Sequence, residues 1–185
     1  MSRIIVGLAV LMHILGVPDS AEQGKQKVRN KVEYRVVDTQ SFTIEVPSGW
    51  TVSEETPWGS RQIRPSDETN TVKAASMSSM TGPGLGRQSW DRLYQTSLYF
   101  ITRNGRESKM KATPYTLGKS KQGFETCSWD MTDTAGTVIQ RHVILKHSNG
   151  NILALSVKVP ADATKEERAQ LCQLFQHMVD TAIVK

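Results

Sequence analysis

The stretch FTIEVPSGW, residues 42–50, contains the pattern that decides the fold of this chain. Its apolar residues Phe42, Ile44 and Val46 alternate with polar ones, which is the period of a β-strand that buries one face. The next three residues, Pro-Ser-Gly, are a turn signal that leads Trp50 back toward the sheet. The stretch therefore predicts a strand and a turn that belong to a packed sheet.

The same alternation recurs before and after this stretch, and polar turns separate the segments that carry it. The predicted strands are Val32–Asp38, Ser41–Val46, Arg61–Arg64, Thr71–Met80, Thr113–Gly118, Gly123–Thr132, Thr137–His147 and Asn151–Val159. The last four are separated by SKQ, DTAG and SNG, which suit hairpins. Because the connections are short, we expect a largely antiparallel sheet.

Two further segments have helical spacing. The first runs from the predicted N-cap Ser89 to the stop signal Asn104-Gly105. The second begins with a capping box of Thr164 and Glu167. Its apolar stripe consists of Leu171, Leu174, Phe175, Met178, Val179, Ala182 and Ile183. The pattern predicts an α+β fold in which a largely antiparallel sheet is flanked by helices.

The composition limits the class of protein. The chain has 185 residues, of which 38% are hydrophobic and 22% charged, which suits one ordinary domain with a core. A net charge of +5 is too small to indicate nucleic-acid binding. Two cysteines are too few for a disulfide scaffold or a four-thiolate zinc site. We therefore expect one domain that binds no nucleic acid.

The first 21 residues have the order of a secretory signal. Arg3 gives a positive start, and residues 4–15 are apolar apart from one histidine but too few to span a bilayer comfortably. Small residues follow up to Ala21. Asp19 stands where a cleavage site has a small residue, so an uncleaved membrane anchor stays open, as does a buried N-terminal strand or helix. The pattern predicts export to the periplasm or another extracytoplasmic space.

A basic linker follows the predicted signal at residues 22–31, EQGKQKVRNK. It has no periodic apolar positions, so we interpret it as a solvated arm ahead of a single domain at residues 32–185. Its Lys25 and Lys27 are candidate partner-binding residues, because basic side chains can contact an acidic protein or, peripherally, an anionic membrane surface.

This order of elements resembles the PsbP-like superfamily. The resemblance rests on an exported basic domain that opens with a strand and FTIEVPSGW, continues through a helix containing Trp90 and ends in a helix. That superfamily includes photosystem II accessory proteins, Ran-binding Mog proteins and bacterial DcrB-like envelope proteins. The resemblance implies an α/β/α sandwich and an accessory or binding role. The metal-binding, photosystem-docking and Ran-binding residues of the members have no match here, so none is carried over.

The residues that could support catalysis are dispersed. His142, His147 and His177 lie in no nucleophile signature, and we interpret them as surface or half-buried structural residues. Asp130 and Asp133 flank a turn without calcium-loop spacing, so we predict no metal and no cofactor. The alternative to a binding role is a small hydrolase whose site is assembled from residues such as Ser78, His142 and Asp130.

Two loops are candidates for recognition of a protein partner. Trp58 lies in the turn Pro-Trp-Gly, where an exposed aromatic could anchor a partner. The loop TGPGLG at residues 81–86, with Gly84 and the adjacent Arg87, lacks the Lys and Ser/Thr of a phosphate cradle. We interpret it as a flexible connector or, alternatively, as a partner loop.

The two cysteines, Cys127 and Cys172, are interpreted as structural thiols, either free or bridged, because neither belongs to a C-x-x-C pair. Together with the predicted export, the dispersed candidates favour a non-enzymatic accessory protein of the cell envelope that binds a protein partner.

Overall fold

Most of the predicted alternation forms strands in the computed structural model, which describes residues 32–56, 60–66, 76–82, 84–104 and 110–185. For residues 76–80, 103 and 104 only the backbone is described. The strands are β1 (Tyr34–Asp38), β2 (Phe42–Pro47), β3 (Trp50–Val52), β4 (Ser60–Pro65), β5 (Ser76–Thr81), β6 (Lys111–Ala112), β7 (Thr116–Lys119), β8 (Glu125–Thr132), β9 (Val138–Lys146), β10 (Ile152–Lys158) and β11 (Ile183–Val184). The helices are α1 (Trp90–Asn104) and α2 (Lys165–Thr181), with one turn of 3-10 helix at Leu85–Arg87. The predicted signal at residues 1–21 and linker at 22–31 lie outside the described residues.

The larger sheet has the strand order β3-β4-β5-β10-β9-β8-β6, and β7 also pairs with β8. Every pairing between described strands is antiparallel, as the short connections predict. The one long step in the order is between β5 and β10, because α1 and the β6–β9 segment lie between them in sequence.

A second, three-stranded sheet, β1-β2-β11, differs from the single sheet that the alternation predicts. Helix α2 ends at Thr181, Ala182 is extended, and Ile183 pairs with Thr43 of β2. The prediction that Ile183 continues the helical stripe is therefore wrong. Ile and Val are stiff at χ1 and favour extended backbone, so two of them at the helix end add a short strand to the free edge of β2.

One core lies between the large sheet and α2. Strand β2 and the apolar stripe of α2 share this core: Phe42, Ile44 and Val46 are fully buried and pack in one cluster with Phe175. The other members of the stripe in this cluster are Leu171, Leu174, Met178 and Val179. This face of the sheet is closed by α2 together with the small sheet.

A second core lies on the opposite face, beneath α1. Leu93 and Tyr94 of α1 are buried against Trp129 and Met131 of β8. The layers are thus helix, sheet and helix, and the α+β sandwich predicted from the sequence is confirmed. None of the helices in the described part of the chain is long and apolar enough to cross a membrane.

Both predicted helix starts are confirmed by their capping contacts. The backbone N–H of Arg92 donates to Oγ of Ser89 at 3.2 Å. Glu167 N–H donates to Oγ1 of Thr164, and Thr164 N–H donates to the Glu167 carboxylate at 2.8 Å. Each contact satisfies a donor that a helix terminus leaves free, which is why these residues fix where the helices begin.

Candidate functional site

The glycine loop before α1 is held against the turn between β9 and β10. The Gly86 N–H donates to the Gly150 carbonyl at 2.9 Å, and the Gly82 N–H to the Ile152 carbonyl at 3.3 Å. A side chain at position 86 would bring a Cβ within 2.9 Å of Gly150 backbone atoms, so this approach requires glycine. The described part of the loop is therefore packed, and the expectation of a flexible connector is wrong for it.

Most backbone donors in the described part of this loop are already in use. The N–H groups of residues 82 and 85–88 all donate to carbonyls of the loop or of the hairpin. An anion cradle needs several such donors pointing outward. This geometry agrees with the sequence, which lacks the residues of a phosphate-binding loop.

The predicted binding residues Gly84 and Arg87 lie on this loop and are exposed. Gly84 has φ of 75°, in the left-handed region that glycine adopts readily. Arg87 extends over Gly150 and lines a polar cleft of about 590 Å³ at the end of the large sheet, here called the loop cleft. The same cleft is lined by Gln122, Gly123, Phe124, Glu125, Lys146, His147, Ser148 and Asn149.

Lys146 does not offer a free charge to the loop cleft. Its Nζ donates to the Gln88 carbonyl at 2.6 Å and lies 3.9 Å from the centre of the Trp90 ring. Burial lowers the pKa of this amine, an effect that Glu125 opposes. The lysine therefore fastens the start of α1 to β9, and Arg87 is the exposed cation of the loop cleft.

The other predicted binding residues, Trp58, Lys25 and Lys27, lie outside the described residues. Their role stays a prediction from the sequence.

A second cleft, here called the α1 cleft, opens on the α1 face of the large sheet and measures about 390 Å³. One wall comes from the second half of α1, with Phe100 and Ile101, and the floor comes from β4, β8, β9 and β10. The cleft opens where α1 is less deeply buried: Leu93 and Tyr94 near its beginning are buried, Leu98 and Ile101 are half-buried, and Phe100 is 56% exposed. The helix therefore leaves part of this face uncovered.

His142 and Trp129 are neighbours in the floor of the α1 cleft. They are paired across β8 and β9, and their rings stack with centroids 5.0 Å apart and planes 6° apart. Nε2 of His142 and Nε1 of Trp129 are buried without a hydrogen-bond partner. Burial lowers the pKa of His142 to about 4, so the imidazole is neutral at pH 7. The interpretation of His142 as a surface or half-buried residue is wrong. Its side chain faces away from Val143, as the strand period indicates, but it stacks on Trp129 on the α1 face and is only 7% exposed.

The dispersed hydrolase site is not brought together. Asp130 alternates with Trp129 on β8 and forms a two-point ion pair with Arg141, on the face opposite His142. The Asp130 side chain is thus held by Arg141. Asp133, by contrast, stabilises the turn itself, because its Oδ1 accepts the N–H groups of Ala135 and Thr137. The side chain of Ser78 lies outside the described residues.

The remaining histidines have local structural partners. Nδ1 of His147 accepts the Asn149 N–H in the hairpin turn. Nε2 of His177 is 2.8 Å from Glu45, and its ring stacks on Tyr34. His147 thus stabilises the β9–β10 turn, and His177 joins α2 to the small sheet, as expected for structural residues.

Both cysteines are free. Cys127 is buried beneath α1, and burial raises the pKa of its thiol to about 11, which disfavours the reactive thiolate. Cys172 lies on α2, on the other side of the sheet. Among the described residues, no group of three His, Cys, Asp or Glu side chains is placed to hold a metal ion.

Sequence reasoning missed the α1 cleft. Its floor includes one lateral row of the sheet, in which Gln62, Ser156, His142 and Trp129 lie on four different strands. Such a row depends on strand order and register, which no local pattern encodes. The one available signal was the strand period, which places His142 and Ile144 on the face opposite Val143.

The comparisons with known proteins concern the fold. No family model matches the sequence, and no curated protein does. The Ran-binding protein Mog1p of Saccharomyces cerevisiae is similar in structure, with a TM-score of 0.55 and 19% identity over 83% of this chain and 96% of that chain. A single-residue mutant of the protein Mog1 is similar to 82% of this chain and 96% of its own, with a TM-score of 0.54 and 19% identity. The resemblance to Mog-like proteins is therefore confirmed at the level of the fold.

Proposed function

We propose that this protein is an exported, non-enzymatic accessory protein of the cell envelope, and that it binds a protein partner at the loop cleft. The observation that carries the proposal is the position of Arg87. This side chain is exposed, extends over Gly150, and forms no ion pair with any described residue. A charged side chain on loops that a rigid sheet holds in place is typical of a recognition surface.

The surroundings of Arg87 support this role. Three connections meet at this end of the sheet: the glycine loop, the β7–β8 turn and the β9–β10 turn. Hydrogen bonds inside both turns fix them, including those from Gly123 N–H to Ser120 and from Gly150 N–H to His147. A preformed surface loses little conformational entropy when it binds. An acidic group of the partner would complement Arg87. The basic residues Lys25 and Lys27 and the aromatic Trp58 would add contacts. The structural similarity to a protein described as Ran-binding supports a binding role.

The location is tested by fractionation and N-terminal sequencing. Export predicts a chain in the envelope fraction that begins near residue 22, or an intact chain that stays with the membrane. An intact Met1 on a protein found only in the cytoplasmic fraction would contradict the proposal.

The binding surface is tested by a photo-crosslinking residue placed at position 87 of the full chain in living cells. A matched control carries the same residue at Glu166, which is exposed at the start of α2, beyond the opposite end of β10. We expect one envelope protein to crosslink at position 87 and not at 166, and purified Arg87→Glu to bind that protein at least tenfold more weakly. Equal crosslinking at the two positions, or unchanged binding by Arg87→Glu, would refute the loop cleft as the partner surface. Trp58→Ala is expected to weaken the same binding while leaving the fold intact.

A further inference from the structure

The α1 cleft differs from the loop cleft in chemistry as well as in position. Its lining is mostly apolar, and within the described residues it contains no charged side chain. Of its uncharged polar residues, Gln62, Ser156, His142 and Trp129 form the row that crosses the floor. The others are Ser60, Thr96 and Ser97. A concave apolar surface with a few convergent polar groups is the usual form of a small-molecule site.

Two of these polar groups have unmet hydrogen-bonding capacity. The Trp129 indole N–H is a donor only, and Nε2 of His142 donates or accepts according to its tautomer. Both residues are more than nine-tenths buried, with exposures of 4% and 7%, and both nitrogens lack a partner. A buried polar group without a partner is destabilising, so native proteins rarely keep one unless it has a further use.

We propose that the α1 cleft binds a small neutral molecule that has an apolar body and one hydrogen-bonding group. The body would lie between Phe100 and Ile101 of α1 and the floor residue Ala154. The hydrogen-bonding group would meet His142 and Trp129.

The electrostatics of the α1 cleft select a neutral ligand. Burial of a carboxylate or an ammonium group costs several kcal/mol unless an opposite charge compensates it. The described lining offers no such charge, and Asp130 and Arg141 neutralise each other on the far face of the sheet. The volume, about 390 Å³, is at the small end of the range for ligand pockets.

Access to the two nitrogens depends on the rim. They lie just beneath the cleft surface, so a ligand must turn a lining side chain aside to reach them. Phe100 lines the cleft and is 56% exposed, so it can change rotamer without loss of core packing. A neutral ligand can therefore enter from the side of α1 when Phe100 changes rotamer, and it meets a neutral imidazole at His142.

The test compares two fluorescent probes that share one skeleton and differ in charge. N-phenyl-1-naphthylamine is neutral and has one N–H donor, and 1-anilinonaphthalene-8-sulfonate is its anionic counterpart. With the purified full chain at pH 7, we expect one binding site per chain and an affinity for the neutral probe at least tenfold higher. Comparable or stronger binding of the sulfonate, or no saturable binding of the neutral probe, would overturn the proposal.

Variants locate the binding. Ala154→Leu fills the floor, and Ser97→Leu fills the wall from α1. Binding is compared only in the variants that keep the far-ultraviolet spectrum and the cooperative unfolding of wild type. Each filled variant should lower the affinity for the neutral probe at least tenfold. His142→Phe keeps the stacked ring but removes the nitrogen, so it should lower that affinity about threefold to tenfold. Leu117→Ala is the matched control, because Leu117 is 53% exposed on β7 and lies outside the α1 cleft.

The variants also separate this inference from its alternatives. Equal losses in Leu117→Ala and in the filled variants would show non-specific adsorption. Dimerisation that the filled variants abolish would show that a second copy of the chain covers the cleft. Either result would overturn a small-molecule site, and neither would bear on the partner surface at Arg87.

Discussion

The free energy of unfolding should decrease between pH 7 and pH 5, and replacing His142 should make that decrease smaller by about 2 kcal/mol. The side chain is 93% buried beneath α1, stacked on Trp129, and Nε2 has no hydrogen-bond partner. Burial lowers the pKa of this imidazole from 6.5 to about 4, while Asp130 opposes the shift. The His142 imidazole is therefore protonated at a lower pH in the folded protein than in the unfolded chain.

The sign follows from this difference. As the pH falls below about 6.5, His142 is protonated in the unfolded chain but stays neutral in the folded one, so the free energy of unfolding decreases. The decrease ends near pH 4, where the folded state also takes up the proton. One pKa unit corresponds to about 1.4 kcal/mol, which gives a total loss of about 3 kcal/mol, of which about 2 kcal/mol falls between pH 7 and pH 5.

The measurement is urea unfolding of wild type, His142→Phe and His142→Gln at pH 7 and at pH 5. The two variants pack differently but both lack the titrating group, so packing changes differ between them whereas the pH effect does not. Subtraction of each variant's pH effect from that of wild type removes the contribution of the carboxylates. A residual below about 0.5 kcal/mol for both variants would refute the reasoning, because it would show that the imidazole charges freely in the folded state.

Three further predictions concern the packing that supports the two clefts. Phe175→Ala should lower the free energy of unfolding by about 3–5 kcal/mol, since Phe175 is 1% exposed in the core under α2, and a loss below about 1 kcal/mol would contradict that core. Gly86→Ala should push the glycine loop off the hairpin and accelerate tryptic cleavage after Arg87, whereas Gly118→Ala, where a Cβ meets only a hydroxyl at 3.3 Å, should not. Arg168→Lys should cost about 1–3 kcal/mol in urea unfolding, because the guanidinium donates to four carbonyls before and beside α2 and an ammonium group cannot keep that fork.

Local patterns predicted the elements of this fold where each residue's environment depends on its sequence neighbours. The alternation in β2, the capping box at Thr164 and the hairpin turns all satisfy their requirements within a few residues, and the structure has them where the sequence indicates. The end of α2 differs, because Ile183 continues the helical spacing but finds an open strand edge at Thr43. That edge exists only once β1 and β2 have folded onto the core.

The candidate sites could be predicted only in part for the same reason. The exposure of Gly84 and Arg87 follows from their loop, whereas the packing of that loop on Gly150 depends on a contact across more than 60 positions of sequence. The burial of His142 could not be predicted from the sequence. The period of β9 specifies the face of the sheet on which this residue lies, but not whether other elements bury it there. The row from Gln62 to Trp129 exists only after the order of the strands is set.

The two faces of the large sheet explain why the α1 face is the place for a ligand. The α2 face is closed by a helix with five buried side chains and by a second sheet whose strand β11 continues directly from that helix. The α1 face is covered by one helix, of which the buried residues, Leu93 and Tyr94, lie in the first five positions. Beyond Tyr94 the helix is only half-buried, through Leu98 and Ile101, so it can shift there with a smaller loss of packing than α2, whose face cannot open without exposing its core. The unpaired nitrogens of His142 and Trp129 therefore lie on the face that can admit a molecule to meet them.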